Sequence, residues 1–140
     1  MIRSFLNLLY KRVNNHKKRK RTAWVAVICN SQILLGLRSE KCNNSGKWNF
    51  FGGKIDPFEK PSHAARRELF EESRLNVHLD ELQFITTIGD NYYYKVELMD
   101  KIELEPTDES EVIQWFDLDK LPEPLHKKTK ILFLENYKLD

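Results

Sequence analysis

Residues 53–75 read GKIDPFEKPSHAARRELFEESRL, and the second half of that stretch decides the fold. Pro61 and Ser62 stand where a helix begins, and SHAARRELFEES after the loop IDPFEKP carries the composition to continue one. On a helix, residues three and four apart share a side, so Glu68, Glu71 and Glu72 crowd together with no lysine among them. Arg67 can pair with Glu71, but Glu68 and Glu72 form a like-charge pair costing a few tenths of a kcal/mol. A solvated acidic stripe is one reading. The other is a set of oxygen ligands for a hard divalent cation, since Mg2+ keeps several waters and works alongside substrate phosphates.

Outward from this helix the chain alternates in character. AWVAVIC (23–29) is a continuous apolar and β-branched run; Asn30-Ser31 and ILLGLRS (33–39) follow, predicting two strands joined by a tight turn. KWNFF (47–51) predicts a third strand. LQFITTI (82–88) and YYYKVEL (92–98) flank Gly89-Asp90-Asn91 as a hairpin, with Tyr92, Tyr93 and Tyr94 as strand residues. VIQWFDL (112–118) predicts another strand, and HKKTKILFLENY (126–137), after Pro122 and Pro124, a last amphipathic helix. The order implies an α/β (α+β) fold, a mixed β-sheet with helices packed on its faces.

The chain's 140 residues suit one domain, and 31% charged with 41% hydrophobic residues excludes a disordered one. No stretch is long enough to span a bilayer, and MIRSFLNLLYKR lacks the sustained apolar core of a signal peptide. Cys29 and Cys42 make neither a metal spacing nor a disulfide framework, so a reducing cytoplasm is expected. His16, His63, His78 and His126 form no ligand spacing and are expected to be structural or exposed. Charge is unevenly spread: residues 1–39 hold nine Lys or Arg and no acid, against 14 basic and 21 acidic residues in the remainder. Residues 1–21 form a basic arm. Within it, Ile2, Phe5, Leu8 and Leu9 recur at helical spacing ahead of Lys17–Arg21, five consecutive positive charges. Such an arm can contact phosphates, RNA included, or a membrane surface; the reading preferred here is a helix packed on the domain with a solvated basic linker.

The acidic helix and the glycines before it resemble the Nudix box, G-x5-E-x7-R-E-U-x-E-E-x-G-U with U apolar. Gly53, Glu59, Arg67, Glu68, Leu69, Glu71, Glu72 and Leu75 agree at eight of nine specified positions. The likeness extends over residues 22–140 and implies a Nudix hydrolase domain, MutT-like, that uses Mg2+, with Mn2+ as the substitute. It implies Glu68, Glu71, Glu72 and the Gly53 carbonyl as metal ligands, and Glu109, six residues before Trp115, as a further one, with Glu111 the neighbouring alternative. Glu68, Glu71 and Arg67 carry the catalytic role, with Glu68 the first choice of general base; Arg67 and Glu59 also brace the loop and helix by ion pairing. The ninth position departs: Arg74 stands where the box has glycine. A left-handed residue normally closes a helix, and Asn76 tolerates that conformation, so the helix is expected to end at Asn76.

For the substrate, the resemblance implies a nucleoside diphosphate linked to another moiety, foremost a (d)NTP cleaved to a monophosphate and pyrophosphate. A 5′-RNA end or a dinucleoside polyphosphate is the alternative, and a non-catalytic nucleotide-binding module a third. Arg38, 14 residues before Gly52, matches a phosphate-contacting arginine of MutT-type members. Trp48 and Asn49 in WNFFGGK resemble the segment with which members acting on oxidised purine triphosphates read the base. The aspartate pair those members use has no counterpart, His126-Lys127-Lys128 standing in that region. Oligomeric state is left open by the sequence.

Overall fold

The computed structural model describes residues 2–13, 20–43, 45–135 and 139. Lys17 to Arg19 of the basic run, and Asn136 and Tyr137 of the predicted last helix, lie outside the described residues.

The apolar run forms β1 (Thr22–Cys29), whose eight residues are all buried. A strand covered on both faces needs no polar alternation, which is why the run is continuous. It stands in the middle of a seven-stranded mixed sheet. On one side it pairs antiparallel with β2 (Gln32–Arg38) through a turn in which Asn30 takes φ 54°. On the other it runs parallel to β6 (Asn91–Glu97), which forms a hairpin with β5 (Gln83–Ile88). The turn is Gly89-Asp90 alone, with Gly89 at φ 60°; Asn91 already belongs to β6.

KWNFF does not form one strand. Trp48–Asn49 (β3) pairs with β2, whereas Phe51–Lys54 (β4) pairs with β1. The switch falls at Phe50, whose N–H leaves the ladder and donates to Thr129 Oγ1 at 3.0 Å. β7 (Ser110–Asp117) pairs with the free side of β2.

Successive side chains of β1 point to opposite faces and sort into two cores. Ala23, Val25 and Val27 pack with Ala64, Ala65 and Leu69 of α2 (Pro61–Ser73). Trp24, Ala26 and Ile28 pack with Phe50, Tyr93 and Leu132, the last on α3 (Lys127–Leu134). The sheet thus lies between the two helices.

Two expectations are corrected at helix ends. α2 stops at Ser73, and Arg74 itself takes the left-handed conformation, φ 67° and ψ 7°, donating its N–H to the Phe70 carbonyl. Asn76 is therefore not the closing residue. Ser73 helps the stop, because its hydroxyl donates to the Leu69 carbonyl at 2.6 Å and accepts the Leu75 N–H at 3.1 Å, satisfying groups that a continuing helix would use. The second correction concerns α1 (Ile2–Val13). It is a helix, as predicted, but Ile2, Phe5, Leu8 and Leu9 are exposed and not packed on the domain.

Candidate active site

The acids of α2 are placed by close backbone approach. A Cβ on Gly52 would lie 2.2 Å from the Ala23 carbonyl oxygen, and one on Gly53 would lie 2.7 Å from the Glu68 carboxyl carbon. Only glycine lets β4 lie against both β1 and α2 there. Glu72 is pulled under the strand: it is 3% exposed, and its Oε1 accepts the Gly52 N–H at 2.6 Å. Its Oε2 has Arg38 Nη1 at 3.9 Å, beyond hydrogen-bond range. Burial pushes the Glu72 carboxyl well above its ordinary range; the Gly52 N–H opposes this, and the nearby charges of Glu109 and Glu68 add to it. Glu68 is raised as well, by burial first, with Arg67 pulling the other way.

Arg67 is the hub of the supporting network. Its Nε and Nη2 donate to the two oxygens of Glu59, each at 2.9 Å, Nη1 donates to Glu68 at 3.0 Å and to Glu71 at 3.2 Å, and Nη2 also reaches the Lys54 carbonyl. Asp56 stands 3.6 Å away. The hydrogen bonds from Arg67 hold Glu59 below the usual carboxylate range, and the guanidinium is held charged. Glu59 in turn accepts the Asp56 N–H, so the loop and the helix are fastened through one fork. This is the geometry expected of a bracing pair.

Glu109 arrives from the other side of the chain. Its carbonyl accepts the Ser39 N–H, and Thr107 Oγ1 donates to the Glu72 carbonyl, tying the 107–109 loop to the end of α2. Together Arg38, Gly53, Glu68, Glu72 and Glu109 line one open cavity of about 520 Å³. Glu71 is not among its lining residues; it is half exposed and turned to Arg67. Glu111 sits in a β-bulge of β7, where Val112 and Ser110 pair with consecutive residues of β2, and it is exposed. Asn49 is 2% exposed, with Oδ1 accepting from Thr129 Oγ1 at 2.5 Å and Nδ2 buried without a partner. Trp48 packs edge-on against Phe116.

Sequence reasoning gave no role to the rest of the lining, Thr22, Trp24, Lys54, His126, Lys127 and Lys128, although it set the last three in the region of the missing aspartate pair. Lys128 Nζ lies 5.8 Å from the Trp24 ring, and the His126 ring lies 5.9 Å from it. His126 does have the expected structural part, its Nδ1 accepting the Lys128 N–H as the cap of α3. Its ring nevertheless faces the cavity wall. Burial and the surrounding cations Arg38 and Lys128 lower it to about 4, so it is neutral at pH 7. The one signal in the sequence is the run His126-Lys127-Lys128 directly after Leu125, which bridges to Trp48.

Among the described residues, no three Asp, Glu, His or Cys side chains stand close enough to hold a metal ion by themselves. The donor set still suits Mg2+, which is bound by one or two carboxylates with waters and phosphates rather than by a closed protein cage. A buried carboxylate whose second oxygen lacks a hydrogen bond, beside a glycine backbone in contact with Glu68, is an open oxygen site of that kind.

A NUDIX domain profile matches residues 18–137. The oxidized purine nucleoside triphosphate hydrolase of Danio rerio is 42% identical over 106 residues, 70% of this chain and 66% of the relative; that of Mus musculus is 36% identical over the same extents. The chain thus spans about 66% of the length of these curated relatives. Among solved structures, a MutT NUDIX hydrolase from Burkholderia pseudomallei superposes with a TM-score of 0.69 at 26% identity, covering 80% of this chain and 93% of that one. With the box running from β4 through α2, Glu68 and Glu72 gathered against the Gly52-Gly53 strand and the profile running through the whole sheet, the chain belongs to the Nudix family.

Proposed function

We propose that this Nudix enzyme hydrolyses nucleoside triphosphates, purines ahead of pyrimidines, to a monophosphate and pyrophosphate with Mg2+. The observation that carries the reading is the mixed lining of the cavity. Three carboxylates, Glu68, Glu72 and Glu109, share it with four cationic side chains, Arg38, Lys54, Lys127 and Lys128. Acids alone would repel a polyphosphate and cations alone would need no metal; both together suit a metal-bound phosphate chain. The likeness to nucleoside triphosphate hydrolases in two vertebrates supports the same substrate class.

Glu68, Glu72 and the Gly53 carbonyl would hold the ion, with Glu109 joining them; Glu71, which the box also implies as a ligand, is turned to Arg67 and lies outside the cavity lining. When bound, the ion would offset the charge of the acids and make a water easier to deprotonate. Arg38 and the lysines hold the phosphate oxygens. Glu68 takes the proton of the attacking water as the oxygen bonds to phosphorus. The phosphorus bond to the leaving pyrophosphate breaks, and the electron pair departs with it. Arg67 keeps Glu68 aimed.

The test is a product-resolved panel of dNTPs, oxidised dGTP, dinucleoside polyphosphates and 5′-triphosphate RNA, with the wild type and Glu72→Gln. Glutamine still accepts the Gly52 N–H, so the fold should keep or gain stability while hydrolysis falls by a factor of about 100 or more. Near wild-type turnover by that variant would overturn the metal assignment. RNA turnover with inert (d)NTPs would overturn the substrate.

A further inference from the structure

α1 is turned the opposite way from a helix docked on its own domain. Ile2, Phe5, Leu6 and Leu9 fall on one stripe at helical spacing, with Leu8 beside it. Their exposures are 77%, 64%, 37%, 46% and 68%. The polar side is the one that faces the protein: Asn7 is the least exposed described side chain of the helix, with its Oδ1 shut off from solvent, and Arg3 is near enough to Glu59 for its charge to act on that carboxylate. An amphipathic helix held with its apolar stripe in water lacks an apolar surface to bury it.

The charge around the stripe selects that surface. Residues 1–21 contain eight Lys or Arg and no acid. We infer that α1 is a docking surface for an anionic lipid bilayer, Ile2, Phe5, Leu6 and Leu9 entering the acyl boundary, with the eight Lys and Arg in the sequence of residues 1–21 selecting anionic headgroups. A single short apolar stripe holds a membrane weakly, and a polybasic segment supplies the second attraction that makes binding stable. RNA would use the cations and leave the stripe wet. A second copy would bring two arms of eight positive charges together. Docked through α1, the enzyme would act at a membrane surface.

The experiment is co-sedimentation of the full chain with vesicles of phosphatidylcholine alone or with about 30% phosphatidylserine, at low and high salt. The expected result is at least about tenfold more binding to the anionic vesicles, lost as salt shortens the screening length. Phe5→Glu with Leu9→Glu, and separately Lys17→Gln, Lys18→Gln, Arg19→Gln and Lys20→Gln together, should each abolish it while nucleotide hydrolysis in solution is unchanged, which also shows that the variants fold. The proposal is overturned by absence of binding, by equal binding to both vesicles, or by binding that survives the Phe5/Leu9 change. It is also overturned if that change instead dissolves a dimer seen by light scattering, or releases an RNA that does not compete with vesicles.

Discussion

Replacing Arg67 by Gln tests whether the acidic helix is held by one guanidinium. The side chain is 29% exposed and makes two hydrogen bonds to Glu59 and one to Glu68, carboxylates that are 13% and 15% exposed. Hydrogen bonds to charged groups contribute about 1.5–3 kcal/mol each where water is excluded. Water reaches this cluster from one side, which cuts the net effect to about 2–3 kcal/mol in all. For a chain of this size that is a fall of about 6–10 °C in Tm. The assay is thermal unfolding of the single variants Arg67→Gln and Glu59→Gln and of the double variant. Because Glu59 receives two of the bonds, its prior removal should make the arginine change about 1 kcal/mol less costly. A melting point within about 2 °C of wild type, or strict additivity in the cycle, would refute the bracing role.

Three further outcomes follow from the same geometry. Arg74→Gly relieves a left-handed residue and should stabilise by about 0.5–1 kcal/mol, the Phe70 ring contact 5.6 Å away being a small loss, whereas Asn76→Val should leave unfolding unchanged; both are read by calorimetry. Gly53→Ala places its Cβ against the movable end of Glu68, so Tm should drop by only a few degrees while kcat falls about 100-fold; Gly52→Ala meets the Ala23 backbone and should unfold the domain. His126, neutral in the fold, lets the unfolded chain bind more protons between about pH 6.5 and 4, so it removes stability as pH falls through that window. His126→Asn keeps a cap acceptor and removes this proton uptake; from pH 7 to 4 the wild type should lose about 1–2 kcal/mol more than the variant in denaturant titrations, after screening at the open cavity. Equal losses would show that the imidazole does not titrate abnormally.

What could be read in the sequence divides along the range of the interactions. The α2 acids and Arg67 lie within six residues of one another, and helix periodicity alone puts them on one side, while Glu59 stands only eight residues before Arg67 in the preceding loop. β1 was legible for a related reason: eight buried residues in a row need no knowledge of their neighbours. The partner switch at Phe50 was not, because it depends on Thr129, 79 residues away. Nor could spacing show that Arg74 is the left-handed residue, since the Ser73 hydroxyl, not a glycine, ends the helix. The cationic lining is the most distant part of all. Lys54 reaches the cavity because β4 pairs with β1 at Thr22, and Lys127 and Lys128 because Leu125 bridges to Trp48 and brings the start of α3 beside Trp24. The acids proposed to hold the metal are therefore a local pattern, whereas the groups proposed to meet the rest of the nucleotide come from three separate strands and a helix end. On the proposed function, reaction class and substrate choice are encoded at different ranges, and changes at His126, Lys127 and Lys128 should alter which nucleotide is preferred in a product-resolved panel without disturbing the acids of α2.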